Sequence, residues 1–146
     1  MEQLQYINEE FFASQITPEY LDLLLANGWR HFGENFYRYN LAWYQNEIRA
    51  VIPLRIRLGN FSFSKSQRRI LNKNQDLQSV VRPIELTPET ISMFEAHRFR
   101  FAENIPHSIY TFLSNQPATV PCEAFEMAVY QGKKLIAKSF FDIGKY

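Results

Sequence analysis

Seven cations and no acid fall between positions 48 and 75: Arg49, Arg55, Arg57, Lys65, Arg68, Arg69 and Lys73. Four of them crowd into the nine positions from 65 to 73. Cations unanswered by carboxylates make a local positive field suited to a polyanion such as a nucleic-acid backbone. Elsewhere the charges nearly cancel. Residues 1 to 47 carry seven acids and two bases, residues 76 to 146 carry eight acids and seven bases, and the formal net charge is only +1. A solvated basic surface helix would show the same run, so the pattern leaves both readings open. The island has neither the glycines of a phosphate loop nor flanking aromatics arranged as a base-stacking platform.

The other chemistry-bearing residues are scattered. His31, His97 and His107 have no metal-ligand spacing with acids or with Cys122, and surface or hydrogen-bonded core roles are expected for them. No metal and no cofactor are expected. Cys122 follows Pro121 with no adjacent base in sequence, which describes a buried thiol better than a nucleophile. Asp142 is a weak catalytic candidate: it could orient a substrate amine or cap the next turn.

The elements that must position these residues are legible from spacing. Ser64 followed by Gln67 is a capping box, in which the serine oxygen takes an orphan backbone N–H and the glutamine reaches back to the cap. A helix starting at Lys65 follows, with Lys65, Arg68, Arg69, Asn72 and Lys73 on one face and Gln67, Ile70, Leu71 and Asn74 on the other. Before it, Ile52, Leu54, Ile56 and Leu58 alternate with Val51, Pro53, Arg55 and Arg57, which predicts a strand with both arginines pointing away from its buried face. Arg55, Arg57, Lys65, Arg68, Arg69 and Lys73 would then make one continuous positive surface.

Thr17-Pro18-Glu19 and Thr87-Pro88-Glu89 both read as helix starts, with a capping hydroxyl, proline at the first helical position and an acid in the first turn. The first helix is expected to bury Tyr20, Leu21, Leu24 and Leu25 and to end at Asn27-Gly28. The second is expected from Pro88 to about Glu103, with Ile91, Phe94 and Phe101 toward the core. Asn35 to Trp43 is aromatic-rich and extended in character, and two apolar runs flanking Gln131-Gly132 read as an antiparallel hairpin. The strand from Leu135 to Phe141 is apolar enough to expect neighbours on both edges, so the sequence reads as the N-terminal part of a longer fold or as a half that pairs with another chain.

At 146 residues, 46% hydrophobic and 16% aromatic, the chain suits a single α+β domain with a mixed or antiparallel sheet and helices. Residues 1–83 would form an N-terminal part carrying the basic segment, and residues 84–146 a helix plus hairpin. One cysteine excludes an internal disulfide. The N-terminus lacks the regions of a signal peptide, no apolar run reaches the roughly 20 residues of a membrane helix, and a cytoplasmic protein without membrane partners is expected.

Three stretches together resemble the arginyl-tRNA–protein transferase family and its bacterial aspartate/glutamate leucyltransferase relatives. They are YLDLLLANGWRHFGENFYR, IPLRIRLGNFSFSKSQRRILNKNQDL and EMAVYQGKKLIAKSFFDIG. The resemblance covers most of Thr17 to Gly144, and its middle motif is the most specific. It implies an acetyltransferase-like (GNAT-like) fold, incomplete here. It also implies transfer of an amino acid from a charged tRNA to the α-amine of a protein or peptide N-terminus, marking that protein for degradation. In that reaction an activated ester is aminolysed, so positioning and oxyanion stabilisation can carry most of the catalysis.

On that resemblance the basic surface would hold tRNA phosphates. The alternative is a non-catalytic RNA-binding or interaction module that keeps only that surface. An acetyl-CoA-dependent relative is disfavoured, since no Gly-rich pyrophosphate loop is present. Family members place cysteines where this chain has Ile48 and Val51, so metal or iron–sulfur binding is not implied for it. The family also continues beyond the strand that ends in aspartate. The expectation is therefore a chain that does not transfer an amino acid by itself and that either forms a homodimer through its C-terminal hairpin or is poorly soluble.

Overall fold

Two threonines set two of the helices in this computed structural model, which describes residues 5–146. Thr17 accepts a hydrogen bond from the Tyr20 N–H and starts α1, Pro18–Ala26; Thr87 accepts one from the Thr90 N–H and starts α3, Pro88–Arg98. Proline at the first position of each costs nothing, because that N–H has no intrahelical partner. Between them α2, Lys65–Lys73, carries both bonds of the expected capping box: Gln67 N–H to Ser64 Oγ at 3.3 Å and Ser64 N–H to Gln67 Oε1 at 2.8 Å.

The strands form antiparallel sheets. β1 (Asn8–Phe12), β2 (Arg30–Phe32) and β3 (Asn35–Tyr39) assemble in the order β1-β3-β2. β4 (Leu41–Tyr44) and β5 (Glu47–Ala50) form a hairpin whose turn residues Gln45 and Asn46 take φ of 50° and 61°. β6 (Leu77–Pro83), β7 (Ala124–Gln131) and β8 (Lys134–Asp142) form the third sheet in that order, leaving one edge of β8 without a partner strand among the described residues. The α+β class and antiparallel pairing agree with the sequence. The β7–β8 turn falls on Gly132 and Lys133, one residue later than read from the pattern, with Gly132 at φ 60°.

The core joins distant segments. Leu21 and Leu24 of α1, Phe36 of β3 and Cys122 pack in one cluster, with Phe11, Ala13, Ile16 and Trp29 against it. Only the centre of α1's predicted stripe is buried; Tyr20 and Leu25, on its margins, are exposed. The chain end returns to α1, where the Asp22 carboxylate accepts from the backbone N–H groups of Lys145 and Tyr146.

Two expectations are corrected. Residues 51–57 form no strand, and Ile52, Leu54, Ile56 and Leu58 all lie exposed, Leu54 at 90%. An alternating pattern makes a strand only where a ladder partner exists, and Pro53 cannot donate to one. The segment instead runs past the end of α1, and a Cβ on Gly28 would stand 3.1 Å from Pro53 Cγ. Leu58–Asn60 is a single 3₁₀ turn. The third helix also stops at Arg98 rather than near Glu103, leaving Phe101 exposed, while Ile91 and Phe94 are half-buried. The Arg98 guanidinium donates to the carbonyls of Pro106 and His107 and ties the chain after the helix back onto it.

Candidate functional site

The basic segment stands apart from the core. Every residue from 52 to 76 is exposed, including Ile70 and Leu71 on the apolar side of α2. At 100° per residue Lys65, Arg68, Arg69 and Lys73 share one side of this helix. Among the described residues, none of Arg55, Arg57, Lys65, Arg68, Arg69 and Lys73 has an acid within ion-pair distance, whereas Arg49 is paired with Glu47 at 2.6 Å. Arg68 donates to the Phe63 carbonyl at 2.6 Å, which folds its side chain back toward the cap. Arg55 and Arg57 lie in the irregular segment before the helix. Like charges without acidic partners among the described residues form a surface that an anionic polymer can neutralise.

A second constellation lies at the meeting of the N-terminal sheet and the C-terminal hairpin. His31 Nε2 is 2.9 Å from Asp142 Oδ2, and His31 Nδ1 is 2.9 Å from the Gly33 carbonyl oxygen. Both partners accept, so both ring nitrogens carry a proton and the ring is an imidazolium. Burial pushes its pKa down, but the hydrogen bonds with Asp142 and Cys122, the Asp142 charge and the Gly33 carbonyl outweigh that, and it is raised from 6.5 to about 10. The ring stacks on buried Phe36, its cross-strand partner, with centroids 4.8 Å apart. One ligand-type atom each of His31, Cys122 and Asp142 lies within 4.8 Å of the others.

Strand register explains part of this meeting. Ala124 of β7 pairs with Asp142 of β8, and Cys122, buried in the bend that leads into β7, precedes Ala124 by two positions; within β7, Ala124, Glu126 and Ala128 share one buried face. Farther along that face Glu126, fully buried, binds Arg82 at 2.8 Å, Lys138 at 2.6 Å and the Glu85 N–H at 3.2 Å. Burial pushes the Glu126 carboxyl up, but Lys138, Arg82 and the Glu85 N–H more than reverse this and hold it below its ordinary value. Between α3 and β8 lies a cleft of about 470 Å³, lined by Met93, Phe94, Ile109, Ile136 and Phe140, with Arg100 in its wall.

Spacing in sequence left His31, Cys122 and Asp142 unrelated. The fold brings them together, and Cys122 has an imidazole beside it after all. No local signal could have joined residues 111 positions apart, as His31 and Asp142 are. His97 packs edge-on against Phe101 near the end of α3 and does not join them.

Comparison with known proteins bears out the resemblance to aminoacyl-tRNA–protein transferases. Residues 2–69 match the family model described as arginine-tRNA-protein transferase, N terminus, a stretch that includes five of the six cations proposed to meet tRNA, from Arg55 to Arg69. More particularly, the chain is similar to the aspartate/glutamate leucyltransferase of Campylobacter jejuni strain 81116, at 26% identity over 137 residues, 90% of this chain and 56% of the relative. The protein of the same name from Helicobacter hepaticus is 26% identical over 93 residues, 64% of this chain and 37% of the relative. The chain thus spans about half the length of the Campylobacter relative, or less of the Helicobacter one. Among the described residues no helix is long and apolar enough to cross a membrane.

Proposed function

We propose that this chain works as part of a cytoplasmic aminoacyltransferase that moves an amino acid from a charged tRNA to the α-amine of a protein N-terminus, tagging that protein for degradation. The observation that carries the reading is the unpaired cationic face of α2, approached by Arg55 and Arg57, in a segment that largely coincides with the matched family model. The six cations hold tRNA phosphates, leaving the aminoacyl ester to reach the remainder of the molecule. In this reading α3, β7 and β8, within residues 84–146, begin an acetyltransferase-like half, with residues 1–83 as the part that carries the tRNA surface. The free edge of β8 takes a further strand from another chain or a second copy.

Asp142 is held by His31 and stays partly exposed, so it serves the reaction by orienting the incoming amine. Aminolysis needs the amine lone pair free and its proton removed, while the ester carbonyl develops an oxyanion. The largely apolar cleft between α3 and β8, with Arg100 in its wall, supports a leucyl over an arginyl side chain.

The test is transfer from leucyl-tRNA and arginyl-tRNA to a peptide with an acidic N-terminus, measured with the chain alone and in the presence of its candidate partner chains. Salt-sensitive tRNA binding with leucyl transfer under the complemented condition supports the reading. Binding without transfer under any condition identifies the chain as an RNA-binding module instead. Absence of tRNA binding rejects both.

A further inference from the structure

We propose that His31, Cys122 and Asp142 form a binding site for a borderline divalent transition metal ion, with Zn²⁺ the best match. The three offer one nitrogen, one sulfur and one oxygen donor, a set that suits Zn²⁺ and not the oxygen-seeking Mg²⁺ or Ca²⁺. Their donor atoms lie within 4.8 Å of one another. Tetrahedral coordination at about 2.0–2.3 Å per ligand needs donor separations of about 3.3–3.8 Å, so small side-chain adjustments complete the shell.

The surroundings orient the ring as a ligand. The Gly33 carbonyl holds Nδ1–H at 2.9 Å, and stacking on Phe36 fixes the ring plane, so Nε2 is left facing Asp142. A backbone carbonyl on the far nitrogen is the usual means of aiming a metal-bound imidazole. His31 and Asp142 side chains are 12% and 28% exposed and Cys122 is 6% exposed, so the ion enters from the Asp142 side. On binding, the Nε2 proton and the thiol proton leave to water, and the metal takes their places. Three protein ligands leave the fourth position to water or substrate. The ion would clamp β2, the bend two residues before β7 and the end of β8, segments otherwise far apart in the chain. This holds whether or not the chain acts on tRNA.

The experiment is a Co²⁺ titration of the chelator-stripped 146-residue chain, followed by competition with Zn²⁺. One equivalent should produce a thiolate-to-metal charge-transfer band together with tetrahedral ligand-field bands. Because Cys122 is the chain's single cysteine, that band reports it directly. Zn²⁺ should displace Co²⁺ and raise Tm, while Mg²⁺ should not. Cys122→Ser should abolish the charge-transfer band. Asp142→Asn, which keeps an acceptor for the imidazole, should weaken binding by at least about tenfold. His31→Gln removes a second ligand independently, and circular dichroism confirms folding of each variant. A folded wild-type chain with no charge-transfer band, unchanged affinity in the folded ligand variants, or equal stabilisation by Mg²⁺ would show that the trio is a hydrogen-bonded contact only.

Discussion

Around His31 both ring nitrogens are bonded, the ring is stacked, and its partner Asp142 comes from the last strand. From residue 52 to residue 76, by contrast, every residue is exposed, and the helix start is held by the local bonds of its capping box. The difference shows two ways of placing charge. At the junction the fold selects the partners, so each group acts through its neighbours. In the arm a nine-residue helix, marginal without packing, depends on its cap and on whatever its cationic face meets. Four like charges on one side cost stability that a bound polyanion would restore.

The contrast can be broken most forcefully at Glu126, on the buried face that leads to the junction. Glu126→Leu strips Lys138, whose side chain is 4% exposed, of its carboxylate and should lower unfolding free energy by about 3–5 kcal/mol, measured by urea denaturation. The same group sets an acid limit. Its folded pKa lies below the ordinary 4.5, so its stabilisation is fully present above that value and is lost as pH falls through the folded pKa. Unfolding free energy should therefore decline in that acid window in the wild type and decline less in Glu126→Gln.

A smaller loss is expected from His31→Ala in the metal-free chain: about 1.5–3 kcal/mol for its hydrogen bonds with charged and buried groups, read by the same denaturation. The smallest effect belongs to the arm. Ser64→Ala should remove about 1 kcal/mol of local helix stability, visible as faster amide exchange across α2 with an unchanged global melting transition. A global loss from Ser64→Ala, or none from Glu126→Leu, would erase the distinction between the two regions.

Sequence legibility followed the range of the interactions. Thr17, Ser64 and Thr87 cap helices through residues three positions away, so those starts could be read directly. The β7–β8 hairpin was legible for the same reason, its partners meeting across a short turn. The segment from Ile52 to Leu58 misled because alternation records a possible face, while the ladder partner that would bury it lies outside any local window. Phe101 was misplaced because its helix ends at Arg98, where the guanidinium binds carbonyls eight and nine residues on. The run of cations is visible in the sequence, and all six of Arg55, Arg57, Lys65, Arg68, Arg69 and Lys73 are exposed in the structure. The grouping of His31 with Cys122 and Asp142 depends on three separate segments converging and left no trace in spacing.

The central claim, that the α2 face holds tRNA phosphates, is tested most directly by the salt dependence of tRNA binding. The measurement compares the wild-type chain with one in which Lys65, Arg68, Arg69 and Lys73 are all Ala. For every phosphate that the variant no longer neutralises, the slope of log K against log salt should flatten by about 0.7–0.9, and affinity at low salt should fall by at least about tenfold overall. A folded quadruple variant that keeps both the wild-type slope and the wild-type affinity would contradict the account and leave α2 as a solvated face.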